Sequence, residues 1–250
     1  MKELGVEIYK DVASPAVSEV GKVAGRSAKA LLAPLRGFLW CWEKIEEYVE
    51  KEVQKRLEKV PDEQKKSPDP EIAVPLLQSL TYTAQNETLR EMYIALLANS
   101  MDKSKEKVVH PSYVEIIKKM NRLDALVFEE LCKAGPGYVR ALNPRVTVSN
   151  STKYITSAVP EWYLGWTIEG YNEFDVSASL VRMSKFGIVD LVFDDAVSGA
   201  NYRELIDSPF LQAAMEVQRK LFPNDQLVLK TKKSAVYVNE YGRQFRAACR

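Results

Sequence analysis

Histidine is almost absent from this 250-residue chain, and His110 is the only one. A single imidazole excludes His-rich metal sites and any multi-histidine catalytic set. Cysteine is scarce as well: Cys41, Cys132 and Cys249 are odd in number, far apart, and never form a CxxC pair. That pattern points to separate reduced thiols in a reducing compartment, not to a disulfide framework. Neither charge is in excess, with 35 Lys and Arg against 34 Asp and Glu, a net +1. A protein that neutralises many phosphates carries a clear basic surplus, so nucleic-acid binding here requires a local patch. No run nears the ~18 consecutive apolar residues that cross a bilayer. The start, MKELGVEIYKDVASP, lacks the apolar stretch of a secretory signal. These absences make the cytoplasm the expected location. The phosphate-cradling GxxxxGKS/T and GxGxxG loops are missing, as is the GxSxG nucleophile elbow, so no cofactor is signalled.

What is present is an ordinary globular apolar fraction, 46%, enough for one large core or two modest ones. The periodicity is mainly helical. From Val17 to Leu32, residues Val17, Val20, Ala24, Ala28, Leu31 and Leu32 share one helical face, and Gly21 and Gly25 permit close approach of another helix. Residues 38–60 repeat apolar positions at three- and four-residue steps, with Glu47–Lys51 and Glu52–Arg56 as expected i,i+4 pairs on the other face. PDEQKKSPDP reads as a charged, proline-marked linker. One or two helices follow over 71–101, with Asn86 or Thr88 as cap, and another begins at Pro111.

Beyond residue 120 the pattern changes. Leu123–Ala134 and Asp175–Phe186 read as helices, with a turn-rich stretch over 141–170 between them that carries β-favouring segments such as RVTV and KYIT. Ile188–Phe193 reads as a strand, and Tyr202–Phe222 as a helix interrupted at Pro209. Gln226–Leu229 and Ala235–Val238 read as two strands joined by a lysine-rich turn, KTKK, and Glu240–Cys249 as a last short helix. The expected architecture is mainly α: an N-terminal helical part over 1–120, then a winged-helix-like α+β part with inserts over 121–250.

Four candidate sites stand out by residue type and place. His110 precedes a proline at a helix start, where imidazole bonds backbone groups more often than it acts as a base. Asp194–Asp195 follows a strand, where acidic pairs are usually turn residues rather than cation ligands. Arg182 and Lys185 lie on the helix that reads DNA in winged-helix proteins, and Lys230, Lys232 and Lys233 fall in the expected wing. A few basic residues suffice for weak phosphate contact only. Lys22 and Arg26 with Trp40 and Trp42 near one end suit an interfacial helix on a membrane surface, or equally a helix packed on its neighbours.

The most specific stretch is NETLREMYIALLANSMDKSKEKVVHPSYVEIIKKMNRLDA, residues 86–125. It resembles the core motif of the abortive-infection alpha (Abi-alpha) family of bacterial proteins, in which a helix of the form LRE-M-ALLA-SMD leads through a charged turn to HPS-VEIIK and LDA. Upstream PLRGFLW and PDPEIAVPLLQSL, and downstream SLVRMSKFGIV and VNEYGRQFRAAC, are similar to the family as well, so the likeness covers most of the chain. Region 136–170 is individual, and Val238, Asn239 and Tyr241 depart from the family's closing pattern. The resemblance implies a role in bacterial defence against phage or a related growth arrest, and implies no enzyme. The motif's polar residues, Arg90, Glu91, Asp102, His110, Ser112 and Glu115, suit a network tying one helix to the start of the next. His110 and Ser112 are placed to cap, and Glu115 to sit near the positive end of the helix dipole. The expected protein is non-enzymatic and acts through a protein partner or a membrane surface, peripheral to the inner membrane in the latter case. Homo-oligomers and nucleic-acid contact are further expectations.

Overall fold

The computed structural model describes residues 42–83, 86–135, 137–149, 154–155 and 158–250. The small-residue helix expected over Val17–Leu32, with Lys22 and Arg26, lies outside these residues, as do Trp40 and Cys41. The described chain is mainly helical with one small antiparallel sheet. It divides into two units: the residues up to Met120 together with Gln244–Arg250, and Asn121–Arg243.

The regular elements among the described residues of the first unit are all helices. α1 (Trp42–Leu57) buries Val49, Val53 and Leu57, one stripe at four-residue steps. A 3₁₀ turn over Asp62–Gln64 leads to α2 (Pro70–Thr83), which buries Leu76, Leu77 and Leu80. Asn86 caps α3 (Glu87–Ser100) by accepting from the Leu89 N–H. α3 buries residues around its whole circumference, among them Leu89, Tyr93, Ile94, Leu96 and Leu97, because α1, α2 and α4 (Ser112–Lys119) all pack on it. The end of the last helix, α9 (Glu240–Ala248), completes this core. Phe245 meets Tyr113 edge-on with ring centroids 5.5 Å apart, and Asn99 Nδ2 donates to the Ala248 carbonyl at 2.8 Å. The expected Glu52–Arg56 pair does not hold Arg56, whose guanidinium is instead ion-paired with Glu91 on α3.

The second unit opens with α5 (Arg122–Lys133), begun by a capping box in which Asn121 and Asp124 satisfy each other's backbone N–H groups. β1 (Val139–Val148) runs from there as a ten-residue strand through part of the stretch read from sequence as turn-rich. A short β2 (Tyr154–Ile155) pairs with its end. α6 (Glu173–Lys185) carries a second capping box, Asn172 with Asp175, and Gly187 at φ +77° turns the chain out of it into β3 (Val189–Val192). α7 (Arg203–Ile206) and α8 (Pro209–Leu221) break at Ser208–Pro209, with Ser208 as N-cap and Pro209 at the first helical position. β4 (Leu227–Val238) closes the sheet, whose order is β2-β1-β4-β3, antiparallel throughout.

β4 corrects the sequence reading. KTKK is not a turn between two strands but the middle of one twelve-residue strand. Ten of its residues pair with β1, from Leu227 opposite Val148 to Val236 opposite Val139. Lysine favours strands poorly, but a full-length partner outweighs the local preference. The expected lysine-bearing wing is therefore absent at this place.

Candidate functional site

The motif helix α3 and the helix after it place their polar residues in separate local arrangements rather than in one network. Tyr48 Oη donates to Glu91 Oε1 at 2.8 Å, and Arg56 Nη2 donates to Glu91 Oε2 at 2.9 Å. The Arg90 guanidinium lies over the Tyr48 ring, 4.7 Å from its centroid. Burial and the bond to Glu91 raise the Tyr48 phenol above its ordinary value. This cluster fastens α1 to α3.

Asp102 does different work. Its carboxylate accepts from the N–H and the hydroxyl of Ser104, at 2.8 and 2.7 Å, and so begins the 3₁₀ turn Lys103–Lys105. His110 Nδ1 accepts from the Ser112 N–H at 3.1 Å and lies 2.6 Å from its hydroxyl, holding the first turn of α4. Glu115 pairs with Lys118 on the same helix at 3.8 Å. Arg90 and Glu91, Asp102, and His110 with Ser112 thus each serve a helix joint or helix start.

The second unit holds a polar cluster that sequence reasoning did not single out. Asp124 is completely buried. Its carboxylate accepts from the Asn121 N–H, the Ser179 hydroxyl at 2.7 Å, and Arg182 through both Nε and Nη2, the latter at 2.7 Å. The signal was present, since Asp124 and Arg182 both fall in family-like segments. Nothing in the spacing said that the two meet.

Arg182, placed from sequence among nucleic-acid contacts, therefore spends two donors on a buried acid. It also borders a cleft of about 630 Å³ between α6 and β1, lined by Asn143 and Arg145 from the sheet, Phe174, Val181 and Arg182 from the helix, and Val159 between them. Lys185 is exposed one turn beyond Arg182 on α6. The lysines of β4 are divided by its alternation. Lys230 stands directly across from Arg145, and Lys232 across from Asn143, on the cleft's side of the sheet. Lys232 is ion-paired with Asp194 at 2.7 Å. Lys233 points to the other face, over the Tyr202 ring. Asp194, at φ +54°, is a turn residue engaged with that lysine.

Trp42 opens α1, but its side chain lies outside the described atoms, so the set Lys22, Arg26, Trp40 and Trp42 is not placed. Among the described residues no helix is long and apolar enough to cross a membrane, and no three His, Cys, Asp or Glu side chains gather as a metal site would need.

One unit of helices braced by charged side chains and one unit built on an antiparallel sheet make up a mainly α protein whose motif residues sit at helix joints. The family model for Abortive infection alpha matches residues 41–249, and the chain belongs to that family. No curated protein and no solved structure matches it.

Proposed function

We propose that this protein serves in bacterial defence against phage, by the abortive-infection route, and acts by binding rather than by catalysis. Family membership supports the defence role. The observation that carries the non-catalytic reading is the use of the motif side chains. Glu91 is occupied by Tyr48 and Arg56, Asp102 by Ser104, and His110 by Ser112, so each is spent on holding helices. A catalytic constellation instead aims several such groups at one place a substrate can reach.

The test pairs phage plating efficiency with melting temperature for Glu91→Gln, Asp102→Asn and His110→Asn. In the binding reading, protection falls only as far as stability falls. Lost protection with an unchanged melting temperature in any of the three overturns it. The partner is a protein or a membrane surface, reached through the N-terminal region with Lys22, Arg26, Trp40 and Trp42. Liposome co-sedimentation of the full chain against residues 43–250 tests the membrane version, and equal sedimentation removes it.

A second reading is contact of α6 with duplex DNA, for which Lys185 is exposed one turn beyond Arg182. Arg182 and Lys185 are its helix contacts. Absence of any salt-dependent binding to duplex DNA disposes of it.

A further inference from the structure

β4 lies in the middle of the sheet order, yet only one end of it is covered on both sides. β3 pairs with Ala235–Val238 alone. The line of β3 stops there because Asp194, at φ +54°, turns the chain away, with its N–H on the Ser234 hydroxyl and its carboxylate on Lys232. Leu227–Ser234 therefore has β1 on one side and, among the described residues, no strand on the other. Hydrogen-bond parity decides which backbone groups stand open. Ser149 donates to the Gln226 carbonyl, so the even-numbered residues of β4 face β1 and the odd-numbered ones face away. Pro144, which has no N–H to give, sits across from Thr231, as that parity allows. The N–H and C=O groups of Leu229, Thr231 and Lys233 thus point outward and meet no partner among the described residues.

The two faces beside this edge differ. On one, a groove of about 480 Å³ opens between the edge and α8, with Leu211, Met215 and Leu229 as its apolar lining and Gln212, Glu216 and Arg219 exposed along its rim. On the other, Lys230 and Lys232 are exposed, and Lys232 already holds Asp194. We propose that the open edge of β4 takes up an extended segment of another protein as an added strand, one in which apolar and acidic side chains alternate. Main-chain hydrogen bonds to an edge supply affinity in such pairings, and pockets for alternate side chains supply specificity. Alternation sends every second side chain of the added strand into the groove beside α8, and the ones between toward the lysines. Opposite charges on adjacent strands attract, and the Asp194–Lys232 pair is the same contact made within the chain. A second copy of β4 is the wrong occupant, because edge lysines would meet lysines and repel. This surface is separate from the N-terminal region proposed above to reach a partner, so the inference goes beyond that reading and stands on β4 alone.

Fluorescence polarisation on the full chain tests this with a short labelled peptide of alternating Glu and Val, its Lys and Val counterpart, and duplex DNA. The expected result is salt-sensitive binding of the Glu–Val peptide ahead of the other two. Two further forms of that peptide, N-methylated at the valines or at the glutamates, read the backbone. Alternate N–H groups of a strand face opposite edges, so one form loses binding by about tenfold or more and the other keeps it. Lys230→Glu weakens the Glu–Val peptide by about fivefold and strengthens the Lys–Val one. Thr231→Pro removes an outward N–H and spares the bonds to β1, so the exchange protection of β1 amides stays while binding is lost. Should that variant fail to fold, the two N-methylated peptides decide the matter on the parent chain. Failure of the Glu–Val peptide to bind, equal binding of the Lys–Val peptide, equal effects of the two N-methylated forms, or full binding by folded Thr231→Pro overturns the proposal. Duplex DNA bound more tightly than the Glu–Val peptide and lost in Lys230→Glu assigns the edge to nucleic acid, and a parent dimer dissolved by Thr231→Pro assigns it to a second copy; either overturns it as well. The test is independent of the defence role, because it reads binding by the purified chain and not protection of cells.

Discussion

Asp124 and Arg182 hold α5 to α6 across 58 positions of sequence, through a forked contact in which Nε and Nη2 of the guanidinium both reach one carboxylate. Asp124 has no exposed surface, whereas the Arg182 side chain is 36% exposed. The two partners are therefore unequal when one is lost. Arg182→Met leaves a buried carboxylate with only Ser179 and the Asn121 N–H, and costs about 3 kcal/mol. Asp124→Asn leaves a guanidinium that turns to water and keeps a capping oxygen, and costs about 1–2 kcal/mol. Urea denaturation midpoints measure both, and equal losses contradict the asymmetry.

Gly242 is required by space. A Cβ there would lie 2.1 Å from the Ile188 carbonyl oxygen and 2.7 Å from Val238 Cγ1. Backbone cannot yield as a side-chain end does, so Gly242→Ala costs at least the about 1–3 kcal/mol typical of overpacking. The loss shows as a lowered melting temperature, and a neutral result refutes the close approach of α9 to Ile188.

Tyr48 makes stability sensitive to alkali. Burial, followed by the bond to Glu91, raises its phenol above the ordinary 10.0, so the folded state prefers the protonated ring. That contribution is complete below about pH 10 and is lost as the pH climbs through the raised folded value. Tyr48→Phe lowers stability at neutral pH by about 0.5–1.5 kcal/mol, the worth of one hydrogen bond. It also flattens the alkaline fall of the melting temperature. An unchanged alkaline slope assigns the fall elsewhere, for instance to Tyr237, whose phenol is raised by Asp190.

The continuity of β4 has a direct test in proline. Ser149 N donates to the Gln226 carbonyl at 2.7 Å, and strand alternation then turns the Lys232 N–H toward β1, opposite Asn143. Lys232→Pro removes that donor from a paired strand and costs more than about 1 kcal/mol. In a surface turn the same change is tolerated. Hydrogen exchange of β1 amides and the denaturation midpoint both report the result.

Burial explains the silence of two cysteines. Cys132 and Cys249 are buried and stand outside any disulfide, and burial pushes the Cys249 thiol well above its ordinary value. Burial leaves both unmodified by a thiol reagent in the native chain, and Cys249 holds less thiolate besides; peptide mapping checks this, with labelling expected only in denaturant.

Much of this was legible in the amino-acid order. Asn86 is a cap residue followed by apolar periodicity, and a helix begins where it stands. The proline at 209 and the glycine at 187 mark a helix break and a helix end that are found in place. The family motif was recognisable along most of the chain, and the family model matches residues 41–249. The site was less legible. Arg90, Glu91, Asp102, His110 and Ser112 were identified by type, but the partners of Glu91 are Tyr48 and Arg56, 43 and 35 residues away.

Local sequence determined where helices start and stop, because capping, proline geometry and apolar spacing act within a few residues. Only the tertiary structure decided that KTKK lies in a strand, that Arg182 answers a buried Asp124, and that Arg145 faces Lys230 beside a cleft. Each of these depends on a partner dozens of residues distant. Strand pairing and charge pairing are interactions between surfaces brought together by folding, and no short window of sequence contains both halves.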